Sequence, residues 1–391
     1  MEHIAAFRIN SFAKYLDHDK YKISVFTLGS KDEQEEVFGC TVHRVACRSI
    51  LQRRDQRSSD NSLIHNVKSI NNLLVENVFK SERPGWRGRV VEQLKKLDKV
   101  RAIDLVISSY SPIDAHEVGL AFKKYRPNVK WILDMRDEMS MRPTKGKRVR
   151  EWLRKKELEY SKRADAVISV SRPILKDFIS IMKNDSILFR EIRNGFDHDE
   201  KPAQNFNSVF KILYAGTFYG NIKPDKFFKA LTDLKSRGLL PSDWSLELLG
   251  THRNFKVPDE IENHMHYSPR VDNLSAVKVM MSSDCLLLIH PVSSRKGVYT
   301  GKLFDYISVK KPILALVDET DVAADLIRET NAGVVANFDD IEAVQKAFLK
   351  VYSIWKNRHT LDHDEKKIQK LHRRYQVALL EKLIDEVLVT S

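Results

Sequence analysis

The sequence predicts an α/β protein of two domains, each built on a parallel sheet. Three observations carry this. The chain has 391 residues, more than one hydrophobic core usually organises. Short apolar, β-branched runs alternate with stretches of helical period, the pattern of strands buried on both faces and joined by crossover helices. The series then restarts after one polar segment, HDEKPAQNFNS, which holds Pro202 and little that could serve as core.

Taken in order, a helix is expected over 3–16, followed by strands at 22–27, 41–45, 104–108, 130–134, 166–170 and 188–192. Helical patterns at 115–125 and 148–163 lie between them. The second series has strands at 210–215, 245–249, 284–289, 313–317 and 333–336, with helices at 225–237, 301–309 and 341–355. The last pattern, 364–388, is helical and too polar for a core strand, and is expected to return to the first domain. Residues 48–100 are polar and basic without a clean period, and read as an insertion that is mobile or faces a membrane. The expected division is an N-terminal domain at 1–197, a linker at 198–209, a C-terminal domain at 210–355 and a helical segment at 356–391.

Composition narrows the class. Hydrophobic residues make up 42% and charged residues 30%, ordinary values for a soluble globular chain. The longest apolar runs, at 285–289 and 312–317, fall far short of the ~20 residues a membrane helix needs. The first residues lack the basic segment and apolar stretch of a secretory signal. Cys40, Cys47 and Cys285 give neither a disulfide framework nor zinc-site spacing, so a reducing cytoplasm is expected. The net charge of +13 calls for an acidic partner. Basic residues gather at 48–57, at 80–89 and most densely at 142–156. They form either a solvated charged face or a docking surface for an anionic membrane. They lack interleaved aromatics and any recognition motif, which argues against nucleic acid.

Two segments carry chemistry. In KGVYTGKLFDYISVKKPILAL (296–316), Thr300 and Gly301 precede a short helix. A glycine there lets backbone amides approach an anion, and the helix dipole favours negative charge at that end. Lys302 adds a point charge. Asp305 follows on the same side, where a carboxylate can accept hydrogen bonds from vicinal ribose hydroxyls. Together these describe a nucleoside diphosphate site, although an acid in a first helical turn also suits the dipole alone. In FKILYAGTFYGNIKPDKFFKA (210–230) a strand runs into Gly216 and Thr217, then Gly220, with Lys223 before a helix. The glycines allow close backbone contact with a ligand, and Lys223 could neutralise the distal phosphate. A flexible strand-to-helix turn is the plainer reading. The segment is neither a GxGxxG fingerprint nor a GxxxxGK[ST] loop. Asp197-His-Asp199 and Asp362-His-Asp364 have the DxD form but lie outside any strand end, and no metal site is expected.

With 104–137 (DLVISSYSPIDAHEVGLAFKKYRPNVKWILDMRD), 163–171 (RADAVISVS) and 192–197 (IRNGFD), these segments resemble glycosyltransferase family 4, of the GT-B fold. The resemblance runs from about 104 to 348 and rests on the order and spacing of five segments. It implies two Rossmann-like domains with parallel sheets facing a central cleft, the donor held by the C-terminal domain and the acceptor by the N-terminal one. It places Gly216, Thr217, Lys223, Thr300, Gly301 and Lys302 on phosphate, Asp305 on ribose, and the loop at Arg270 and Val271 near the base. DMRD resembles the family's DxRD form, so Arg136 and Asp137 become catalytic candidates, with His116 a weaker one and Arg8 a further contact. Lys223 and Lys302 would stabilise the leaving diphosphate in place of a metal.

Two departures stand out. The family's Glu-x7-Glu is reduced to Gly297 and Asp305, so donor-sugar contacts are expected from backbone amides at 296–298. The family's first strand and glycine-rich loop, which normally precede a helix like that at 3–16, have no counterpart. The expectation is a retaining, metal-independent transfer from a nucleotide sugar to a sugar or lipid-linked glycan, without a cofactor, in cell-surface polysaccharide or glycolipid synthesis. A nucleotide-sugar epimerase on the same fold, or a non-catalytic nucleotide-sugar binder, are the alternatives.

Overall fold

The computed structural model describes residues 4–47, 81, 83, 85–142, 145–200, 206–218, 222–253, 255–290 and 296–389. Residues 48–80 of the basic stretch expected at 48–100, Gly220 and part of the expected linker fall outside these residues. The chain divides into two compact units, Met1–Arg193 with Val377–Ser391, and Asn194–Gln376.

The first unit begins with α1 (Ile4–Tyr15) and a three-stranded sheet of β1 (Ser24–Gly29), β2 (Glu33–Val37) and β3 (Cys40–Ala46). Its order is β1-β3-β2, with β1 parallel and β2 antiparallel to β3. Next come α2 (Arg87–Val100), β4 (Leu105–Tyr110), α3 (Ile113–Tyr125), β5 (Lys130–Met135), α4 (Lys147–Ser161), β6 (Ala166–Ser169), α5 (Arg172–Met182) and β7 (Leu188–Glu191). β4 to β7 form a parallel sheet in sequence order, as βαβ connections require. Its central strands are covered on both faces: Trp131, Ile132 and Leu133 of β5 and Ala166, Val167 and Ile168 of β6 are fully buried. That is why these strands read as unbroken apolar runs.

The second unit contains β8 (Phe210–Ala215), α6 (Asp225–Ser236), β9 (Trp244–Leu249), β10 (Met265–Ser268), α7 (Asn273–Ser282), β11 (Cys285–His290), α8 (Gly301–Ser308), β12 (Ile313–Val317), α9 (Val322–Glu329), β13 (Gly333–Asn337), α10 (Ile341–Lys356) and α11 (Glu365–Gln369). All six strands are parallel, in the order β10-β9-β8-β11-β12-β13. One face is packed by α6 and α10 through Phe227, Phe228, Leu231, Val344 and Phe348. The other is packed by α7, α8 and α9 through Val277, Leu303, Phe304, Ile307 and Ile327. The strand order changes direction between β8 and β11. In open α/β sheets that switch opens a crevice beyond the carboxyl ends of the two strands, where ligands bind.

The expected C-terminal helix is two helices. α11 ends at Gln369 and α12 (Arg373–Val389) starts after a short break. At the break the backbone pairs with Phe196: its N–H donates to the Leu371 carbonyl at 3.3 Å, and its carbonyl accepts from Arg373 N–H at 3.0 Å. From Val377 onward α12 belongs to the first unit, where Val377, Leu380, Leu383 and Ile384 pack with Phe12 and Leu16 of α1 against Ile132 and Ile168.

Candidate functional site

The second unit's switch point is where the two chemistry-bearing segments meet. β8 ends at Ala215, and Gly216 follows with φ +117°, a backbone conformation that L side chains rarely adopt. Its N–H donates to the Leu249 carbonyl at 2.9 Å, and its carbonyl accepts from the Thr251 hydroxyl at 2.5 Å. Thr217 donates back to the Gly250 carbonyl at 3.3 Å. The ends of β8 and β9 are thereby tied together.

α8 approaches the same point from the α7–α9 face of the sheet. Thr300 stands at its N-cap without a side-chain capping bond, and among the described residues the buried Thr300 hydroxyl has no hydrogen-bond partner. The first amides of a helix have no intrahelical acceptor, so those of Gly301 and Lys302 are open to a ligand. Gly301 is exposed, and a Cβ built on it meets nothing within 4 Å. A side chain at Gly301 would thus point into open space among the described residues.

Lys302, in the first turn, sends its ammonium across the end of β8. A Cβ on Gly216 would lie 3.2 Å from the Lys302 Nζ. The Nζ sits 3.8 Å from the centroid of the Tyr214 ring. Among the described residues no carboxylate pairs with it, and burial lowers its pKa to about 7. Asp305 lies three residues on. Burial raises its carboxyl to about 6, opposed by the guanidinium of Arg373 and assisted by the carboxylate of Asp197. Both neighbours come from the pairing at the α11–α12 break, where Arg373 and Asp197 are 3.8 Å apart.

The remaining predicted residues lie around this centre. Gly297 has φ +90°, and its N–H donates to the buried Asp321 carboxylate at 2.7 Å, which pins the loop leading to α8. Lys223 is exposed just before α6. Arg270 and Val271 are exposed in the loop between β10 and α7, and a Cβ on Gly250 would meet the Arg270 Cα at 3.3 Å. Tyr214, Thr251 and Asp321, which sequence reasoning did not single out, complete the frame.

In the first unit, Arg136 donates from Nε to the Tyr110 carbonyl at 2.7 Å and from a terminal nitrogen to the Ser111 carbonyl at 3.2 Å. It therefore holds the loop between β4 and α3, beside the partly buried Asp137. His116, the weaker catalytic candidate, does not reach a surface. It is fully buried in α3, its Nδ1 2.8 Å from the Ser108 hydroxyl and its ring edge-on to Tyr160. Burial lowers its pKa to about 3, so it is a neutral imidazole. Arg8 is buried too. Its guanidinium forms an ion pair with Asp134 at 2.9 Å and donates to the Ile192 carbonyl at 2.9 Å. Ser109 adds a hydrogen bond to Asp134 at 2.7 Å. Arg8 thus fastens α1 to the end of β5.

No family model and no curated protein matches the sequence. Solved structures do match the fold. A glycosyltransferase from Rickettsia africae is 14% identical, with a TM-score of 0.61 over 99% of this chain and 95% of its own. A trehalose-6-phosphate synthase, OtsA, is 13% identical, with a TM-score of 0.63 over 98% of this chain and 94% of its own. A UDP-forming α,α-trehalose-phosphate synthase from Burkholderia xenovorans, solved with glucose-6-phosphate, is 11% identical, with a TM-score of 0.61 over 97% and 95%. At this identity the likeness establishes architecture: the chain has the GT-B fold.

Proposed function

We propose that the chain is a glycosyltransferase whose nucleoside-diphosphate-sugar donor places its diphosphate between the end of β8 and the N-terminus of α8. The observation that carries this reading is the desolvated Lys302 ammonium, held over Gly216 by a half-buried side chain without an anionic partner among the described residues. A buried cation without a counter-charge is costly unless a ligand supplies one. The open amides of α8 and the unpartnered Thr300 hydroxyl point to the same ligand: an anion with several acceptor oxygens. Asp305, one turn along, is suited to two vicinal ribose hydroxyls once ionised. The neighbouring folds add support, since one of them is named as UDP-forming.

In this reading the bond from the anomeric carbon to the diphosphate oxygen breaks, and negative charge grows on the leaving diphosphate. Lys302 and the α8 amides meet that charge as it forms, and the exposed Lys223 can add to it from the start of α6. Removing Lys302 should slow turnover by about 10²-fold. Arg136 and Asp137 remain acceptor-side candidates. We assign retention of configuration, independence of metal, a cytoplasmic setting and a cell-surface polysaccharide or glycolipid acceptor as parts of the same proposal. Exposed Lys147, Arg148, Arg150 and Lys155 on α4 favour an acceptor presented at an anionic membrane. No described helix is long and apolar enough to cross one. Vesicle binding that survives neutralisation of these four side chains would remove the membrane part.

The test is a thermal-shift series with UDP, GDP, ADP and their sugars on the wild type and on Lys302→Met. A nucleotide at a hundred times its Kd should stabilise the wild type by about 2.7 kcal/mol and the variant far less. Equal shifts in both proteins, or none with any nucleotide, would refute the site. Conversion of donor to an isomer without any acceptor would replace transfer by epimerisation.

A further inference from the structure

Side chains alternate along β8, so Tyr214 points to the face packed by α6 and α10, whereas Ala215 points to the face packed by α8. Lys302 belongs to α8, yet its ammonium rests on Tyr214. The passage between the faces is Gly216, where even a methyl group would press on the lysine. Tyr214 is 1% exposed and its ring stacks on Phe218, centroids 4.2 Å apart and planes 18° from parallel. Phe218 thus stacks on the same ring whose centroid lies 3.8 Å from the Lys302 Nζ. Phe255 closes edge-on against Phe218 at 5.1 Å. A desolvated ammonium over such a face is held by the ring quadrupole, where an aliphatic side chain would offer nothing.

We propose that Tyr214, backed by Phe218, is a positioning residue that holds the Lys302 ammonium at the end of β8, ready for the diphosphate. The role rests on the donor reading above. Leucine or methionine at this position would keep an apolar side chain in the core but would remove the aromatic face that the ammonium contacts.

The test compares Tyr214→Phe with Tyr214→Leu, by UDP calorimetry and by melting of the ligand-free chain. Tyr214→Leu should weaken UDP binding by about fivefold to thirtyfold, and Tyr214→Phe, which keeps the face, by less than about threefold. Melting is measured for both variants with Lys302 and with Lys302→Met, near pH 6 and near pH 9.5. A cation–π contact exists only while the amine is charged, so the coupling between Tyr214→Leu and Lys302→Met should be present at the lower pH and gone at the higher one. A purely structural loss is the same at both pH values. Tyr214→Met takes the place of Tyr214→Leu if the latter does not fold. The proposal is overturned if Tyr214→Phe loses as much affinity as Tyr214→Leu, if Tyr214→Leu binds UDP like the wild type, or if the coupling is pH-independent or absent. If the wild type binds no nucleotide, the donor reading fails, and the melting cycle alone decides the platform.

Discussion

UDP should bind more weakly as the pH rises through 7, because the site then loses its cation. Burial holds the Lys302 amine at about 7 in the empty protein. Bound diphosphate favours the ammonium, so the complex keeps its proton to higher pH, and binding above pH 7 takes up a proton. Affinity then falls by about tenfold per pH unit. From half-charged at pH 7 to about 1% charged at pH 9, the loss comes to about fiftyfold, or about 2.3 kcal/mol. Two other groups do not mimic this limb. Asp305, raised to about 6, has mostly ionised by pH 7. The terminal phosphate of UDP, with a pKa of about 6, gains charge and would push affinity the other way. Calorimetry across this range in two buffers of different ionisation enthalpy measures both affinity and proton uptake. Near pH 8.5 the uptake should approach about one proton per UDP. Lys302→Met should bind weakly with a flat profile. Constant wild-type affinity between pH 7 and 9 without proton uptake, or a slope that persists in Lys302→Met, would rule out the Lys302 amine as the group that controls binding.

Three further outcomes follow from the same geometry. His116 is neutral in the folded chain down to about pH 3 but takes up a proton near 6.5 once unfolded. Its contribution is therefore complete above pH 6.5 and is lost as the pH falls towards 3, by about 2 kcal/mol at pH 5. Acid denaturation curves of His116→Asn should lack that share of the slope; an unchanged slope would mean that the imidazole is not sealed off. Arg8→Met leaves Asp134 buried without its partner and should cost about 3–5 kcal/mol in denaturant unfolding, whereas a loss under about 1 kcal/mol would place Asp134 in contact with water. Gly216→Ala adds a strained backbone and a methyl against Lys302, and should cost about 1–3 kcal/mol of stability and about tenfold in UDP affinity. Wild-type affinity in that variant would free Gly216 from the site.

The parts of the fold legible in the sequence are those whose burial is complete. β11 and β12 are buried along nearly their whole length, and an uninterrupted apolar run such as Cys285–Ile289 can hardly be anything but an interior strand or helix. β2 was not legible, because EQEEV is an antiparallel edge strand with mostly exposed side chains. α2 buries only Val90 and Leu94, and its neighbours are so basic that the period is obscured. α5 and α9 do carry helically spaced apolar residues, at 174, 175, 178, 181 and 182 and at 323, 324, 326 and 327, and were passed over, whereas α7 buries only Val277 and Met280 and shows a weak period. The break between α11 and α12 is made by Phe196, a tertiary partner that no periodicity reveals. The site divides in the same way. Thr300, Gly301 and Lys302 could be read because a helix start has a local signature. Tyr214 could not, because its partner reaches it from the opposite face of the sheet. The burial of His116 depends on Tyr160 and Trp131 from other elements and leaves no trace in its own segment.

A crystal structure of the full chain grown with UDP would show where the diphosphate lies. Diphosphate oxygens are expected within hydrogen-bonding distance of the Lys302 ammonium and the Gly301 and Lys302 amides, with the ribose hydroxyls on Asp305. UDP bound elsewhere on the chain, with Lys302 still resting on Tyr214 and touching no phosphate, would contradict that placement.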